Sequence, residues 1–216
     1  LDANAAPATW PVRAESLSDE AVAMRLANFL WSAPPDAELR TLAGRGVLKD
    51  PRVLEQQVKR MIADPQSRLF LANFFGGWLG LRRLSANKPS AERFPDFDVN
   101  LGAAIQRETE MFLDSQLHED RGALELPTAN YPFLNDRLAR YYGIANGSGR
   151  EVRRVFLPDG RRAGLLGQAS ILTLTSTSDR ISPTLRGKWI LMNILGQVPP
   201  DPPPACADPW SPCPLP

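Results

Sequence analysis

Three times before residue 200 a residue that caps helix N-termini is followed directly by proline: Asp50-Pro51, Asp64-Pro65 and Ser182-Pro183. Proline at the first helical position lacks an N–H that would be unpaired anyway, and its φ is already helical, so each pair predicts a helix start. Ser18, with Asp19 and Glu20 in the first turn where the helix dipole favours acids, predicts a fourth. Stops are equally frequent: Pro34-Pro35, then Gly44 and Gly46, then Gly143. Nor is there a run of about 18 apolar residues, the length a transmembrane helix needs. A chain punctuated this way must bury short helices against one another.

The apolar periods fill in the segments. Val22, Leu26, Phe29 and Leu30 make one helical face, and Leu54, Val58, Met61 and Ile62 repeat it. A short helix is predicted between them, over residues 36–43. Residues 65–81 are apolar nearly all round, which predicts a central helix, with Gly76, Gly77 and Gly80 as points of close approach by another helix. A long helix is predicted over 98–117, striped by Leu101, Ala104, Ile105, Met111 and Phe112, with Glu108 on the same stripe. A short one follows over 133–142. After the linker Ala145-Asn146-Gly147-Ser148-Gly149 the character changes. Residues 152–157 read as a strand turning at Pro158-Asp159-Gly160, followed by helices over 164–174 and 184–195.

The expected fold is therefore all-α: a bundle of five or six helices over 16–145, and a smaller α-rich module with one short β-hairpin over 150–198. Residues 1–15 read as a leader or linker, and 199–216 as an extended, proline-rich tail. Net charge is +1, so no global field points to nucleic acid or an anionic membrane. Both cysteines, Cys206 and Cys213, lie in the tail. They could close a local disulfide in an oxidising compartment, or remain free thiols. Neither belongs to a CxxCH, so no haem attachment site is present in the 216 residues. The absence of an initiating methionine at Leu1 fits a processed or excised piece of a longer protein.

The stretch Arg25-Leu26-Ala27-Asn28-Phe29-Leu30-Trp31-Ser32 with Pro35-Asp36 resembles the opening of a planctomycete-type domain of unknown function. Glu108-Thr109-Glu110, the run from Tyr131 to Tyr142-Gly143-Ile144, and Gly164-Leu165-Leu166-Gly167-Gln168-Ala169-Ser170 look like its later motifs. Thr175-Ser176, Arg180, Ser182-Pro183 and Arg186-Gly187-Lys188-Trp189 resemble an adjoining cytochrome-associated domain. The resemblance implies export, to the periplasm or beyond the cell. It also implies haem c in neighbouring domains, and a c-type cytochrome domain or subunit of a larger exported complex as partner.

Few residues here suit chemistry. The one histidine, His118, sits beside Glu119 and Asp120 near a helix C-terminus, where a cation suits the dipole. With two tail cysteines it is too little for a metal site, so no metal is expected. Glu110 and Asp114 share a face as like charges on an exposed helix commonly do. Glu108 differs, because the stripe carries it inward. A lone buried carboxylate is costly, so an arginine partner or a retained proton is expected, with an acid–base role as the less favoured alternative. Between Arg150 and Lys188 eight Arg or Lys stand against three Asp or Glu. Arg180, Arg186 and Lys188 surround the helix start at Ser182-Pro183, and with Thr184 they form a candidate site for an anion or partner. An internal ion pair with the acidic bundle is the competing explanation. Trp210, among the tail prolines, is a candidate docking residue. The expected function is a non-catalytic scaffold or docking module of an exported cytochrome-linked protein. The alternative is a hydrolytic or oxidative enzyme domain acting on an extracellular polymer through a cleft between the modules.

Overall fold

A computed structural model describes residues 17–144, 149–157 and 162–199. The leader, the linker core at 145–148, the turn Pro158-Asp159-Gly160, Cys206, Cys213 and Trp210 lie outside these residues. The described chain is all-α with one two-stranded sheet, and it divides after Phe70 into two compact units.

The first unit holds α1 (Asp19–Trp31), α2 (Ala37–Gly44), α3 (Pro51–Ala63) and the single turn α4 (Arg68–Phe70). Each of the first three is capped, α1 and α3 as the sequence predicts: Ser18, Asp36 and Asp50 accept the N–H groups of Ala21, Leu39 and Arg52. Asp19 also reaches across, accepting Leu48 N–H at 2.7 Å, which closes the α2–α3 loop onto α1. Trp31 donates its indole N–H to Met61 C=O at 2.9 Å, tying the end of α1 to α3. Arg60 lies over the Trp31 ring and pairs with Asp36 at 2.7 Å. Asp64-Pro65 does start a helix, but only the 3₁₀ turn Pro65–Ser67.

In the second unit the apolar segment opens with a π-helical stretch, Leu71–Phe75, followed by α5 (Gly76–Trp78). The expected central helix is present but not uniform, since after the 3₁₀ turn it runs on through short α and π stretches to Trp78, and its apolar faces are not all covered, since Phe74 remains exposed. The glycines do not admit a second helix either. Gly77 faces open space, and Gly80 is a left-handed terminator at φ 73°. The long helix α6 (Val99–His118) is capped by Asp98 and buries Leu101, Ala104, Ile105, Glu108, Thr109, Phe112 and Leu113 on one face. After it come α7 (Glu125–Thr128), β1 (Phe133–Leu134), α8 (Asp136–Tyr141), β2 (Arg153–Arg154), α9 (Ala169–Leu174) and α10 (Pro183–Asn193). The sheet pairs Phe133 with Arg154 and Leu134 with Arg153, so its strands flank α8 and bring residues 153–154 back onto α6's neighbours. Two apolar clusters fill the unit. One gathers Leu79, Phe112, Leu113, Phe133, Ile171 and Trp189, and the other Leu101, Ile105, Leu134, Leu138 and Ala169. Among the described residues no helix is long and apolar enough to cross a membrane.

Candidate functional site

The segment 162–170 is built by two close approaches. A Cβ on Gly164, at φ 57° and ψ −170°, would overlap the backbone carbonyl of Pro127, and Gly164 N–H donates to Ala129 C=O at 2.6 Å. A Cβ on Gly167 would come within 2.7 Å of Arg162 carbonyl carbon. These contacts fold the chain back tightly and deliver Gln168, Ala169 and Ser170 to α6. Thr109 Oγ1 bonds Gln168 Oε1 at 2.7 Å and Ser170 Oγ at 2.6 Å, a fully buried polar lock.

Beside that lock lies Glu108, with none of its surface exposed. Its partner is a phenol and not the expected guanidinium: Tyr142 donates to Glu108 Oε2 at 2.5 Å and accepts Ala169 N–H at 2.8 Å. Glu108 Oε1 finds no partner among the described residues. Burial pushes the carboxyl up to about 8, while the Tyr142 bond, the charge of Arg162 and the Ala169 N–H pull more weakly the other way. Burial, and then the adjacent Glu108, push the Tyr142 phenol well above its ordinary value. Arg162 stacks its guanidinium 4.2 Å over the Tyr142 ring and donates to Gly167 C=O.

Arg162 also lines a cleft of roughly 480 Å³. Arg162, Arg180 and Arg186 supply its charge, and Pro89, Phe94, Leu172 and Ile181 much of its apolar wall. Asn87 fixes one side, donating to Thr173 C=O at 2.7 Å and to Ser176 C=O at 3.3 Å. Ser90 N–H donates to Ser178 C=O at 2.8 Å. A bridge between Ser176 and Ile181 closes the turn that carries Arg180. Arg186 donates from Nε to Thr175 Oγ1 at 3.4 Å. Among the described residues no carboxylate lies within ion-pair distance of these three arginines.

Ser182 caps α10 by accepting Leu185 N–H at 3.3 Å, so that donor of the helix start is already engaged. Thr184 and Lys188 are exposed, and the cleft wall is formed without Ser182, Thr184 or Lys188. His118 bonds Asp114 C=O on its own helix. Glu110 accepts from Gln106 and pairs with Arg107 on the exposed side of α6. Among the described residues no cluster of His, Cys, Asp and Glu could hold a metal. Sequence reasoning missed Arg162, Asn87 and Tyr142 as site residues. Arg162 left a signal as one of the basic excess between 150 and 188, and Tyr142 as part of the motif Tyr142-Gly143-Ile144, whereas Asn87 left none.

Fold and site together define a helical module with an arginine-lined cleft backed by a buried carboxyl–phenol pair. The chain belongs to the PSD4 family of proteins of unknown function (DUF1592), whose model matches residues 17–144. A second model, PSCyt3, protein of unknown function (DUF1588), matches residues 162–213. Both are planctomycete cytochrome-associated domains. No curated protein and no solved structure matches the chain.

Proposed function

We propose that this chain is a non-catalytic docking module of an exported, periplasmic or extracellular, cytochrome-linked protein or complex. Its cleft takes an anionic group of the partner, a c-type cytochrome domain or subunit. The observation that carries the reading is the trio Arg162, Arg180 and Arg186 around one cleft, with no carboxylate of the described residues within ion-pair distance of them. Guanidinium groups held at fixed positions recognise carboxylate and phosphate through paired hydrogen bonds.

The chemistry of the wall favours binding over turnover. Ser176 donates its hydroxyl to Leu172 C=O and Thr177 to Arg180 C=O, so neither is paired with a base. The candidate acid–base residue Glu108 is sealed behind Ala169 and Tyr142 and forms no part of the wall. The test is affinity for the haem-bearing partner domain by isothermal titration at low and high salt. Arg180→Ala with Arg186→Ala should weaken binding at low salt by at least about tenfold, or 1.4 kcal/mol, and flatten its salt dependence. Unchanged affinity in a folded double variant refutes the reading.

A further inference from the structure

We propose that Arg162 is shared between the cleft and the buried Glu108, so that anion binding in the cleft and ionisation of Glu108 oppose one another. This rests on the cleft being an anion site, as argued above, and adds how that site is regulated. Three contacts carry it. Arg162 forms part of the cleft wall, its guanidinium stacks at 4.2 Å on the Tyr142 ring, and the Tyr142 hydroxyl bonds Glu108 at 2.5 Å. One cation therefore lines the cleft and also lies against the ring whose hydroxyl meets the buried carboxyl.

Among the described residues the surroundings of Glu108 leave few other charges to confuse the coupling. From α8 it meets Tyr142, from the turn before α9 the charge of Arg162, and from α9 only the Ala169 N–H. Asp136 is engaged by Gly149 N–H and Arg137 by Asp98, while Arg140 donates to its own helix. Arg107 and Glu110, next to Glu108 in sequence, pair with each other on the outer face. Arg180 and Arg186 complete the cleft, and guanidinium groups keep their charge across the accessible pH range.

With Glu108 neutral, the whole field of Arg162 is available to the cleft. Loss of its proton sets a negative charge behind the arginine, in a medium of low dielectric where such a charge is felt strongly. An oxyanion in the cleft must then bind more weakly. Linkage requires the reverse effect with equal size: a bound anion makes Glu108 harder to ionise.

Sulfate is the probe, because its charge is constant over the range and any pH effect belongs to the protein. It is titrated into the intact chain at pH 6.5 and pH 9.5, at fixed ionic strength. Wild-type affinity should fall by about fivefold at the higher pH, the low end of ordinary site–site coupling. Glu108→Gln should bind equally at both pH values, and Tyr142→Phe should move the midpoint of the fall to higher pH. If Glu108→Gln does not fold, the Glu108 carboxyl is followed in wild-type protein by carbon NMR, with and without sulfate. Saturating sulfate should raise its midpoint by about 0.7 of a pH unit, the same fivefold seen from the other side. Sulfate binding that depends on Arg180 and Arg186 but is flat with pH, or an unmoved midpoint, overturns the coupling and leaves the docking reading standing. Sulfate binding indifferent to Arg180 and Arg186, or none at all, overturns both.

Discussion

At Glu108 the partner decides what a substitution does. A carboxylate paired with arginine leaves a stranded charge when its partner goes, whereas this carboxyl keeps its proton and takes a bond from Tyr142. Glu108→Ala should therefore destabilise by about 3 kcal/mol, through a void and a buried phenol that loses its acceptor. Glu108→Gln keeps the shape and the acceptor and should stay within about 1 kcal/mol below pH 4.5, where Glu108 carries its proton in both the native and the unfolded chain. Unfolding in urea separates the two, and equal losses would contradict a neutral side chain. The raised midpoint carries a second consequence. Between the ordinary value of 4.5 and about 8, the native state holds a proton that the unfolded chain has released. Glu108 therefore adds most stability below pH 4.5, and this is lost progressively as pH rises to about 8. The loss is on the order of a few kcal/mol. Thermal unfolding of wild type should show this decline against Glu108→Gln, which has no proton to lose, and parallel curves would refute it. The stripe that turns Glu108 inward, between Ile105 and Phe112, is legible in the sequence. The choice of Tyr142, 34 residues on, is not, because it depends on where α8 packs and no local pattern encodes that.

Among the elements, the turn ahead of α9 has the least freedom. Gly164 combines a backbone conformation that only glycine adopts readily with direct contact against Pro127. Gly164→Ala should cost more than about 3 kcal/mol or prevent folding, with loss of the Thr109–Gln168–Ser170 lock. A variant melting like wild type would show that the turn yields, and the account of how Arg162 is placed would fail with it. At the far side of the unit two tryptophans clasp α10. Trp78 donates to Asn193 C=O at 2.6 Å and Trp189 to Leu79 C=O at 3.2 Å. Local rules find the element ends well, since caps act within three residues: Ser18, Asp50 and Ser182 cap as read, and Asp36 and Asp98 follow the same rule. They do less well over residues 65–81, where an apolar run without polar punctuation does not say which face will be covered. There the helix changes to π geometry and turns at Gly80.

For the whole molecule, two divisions of the chain differ for a physical reason. The family models divide the chain between residues 144 and 162, while compactness divides it after Phe70. Segments 71–144 and 149–199 share the sheet, the apolar clusters and the cleft, so they fold as one body whatever their origin as sequence modules. A change in composition at a glycine linker marks a boundary in sequence, but only packing shows which side each piece joins. The same scale governs the cofactor question. Covalent haem needs two cysteine thiols and an adjacent histidine, and the chain offers Cys206, Cys213 and a distant His118. Purified protein of this sequence should accordingly be colourless, with no pyridine haemochrome band and no stoichiometric transition metal by mass spectrometry. Addition of the haem-bearing partner should leave that partner's haem content unchanged while the arginine cleft becomes protected from sulfate. Covalent haem on this chain, or a cleft that still takes sulfate in the complex, would place the contact elsewhere.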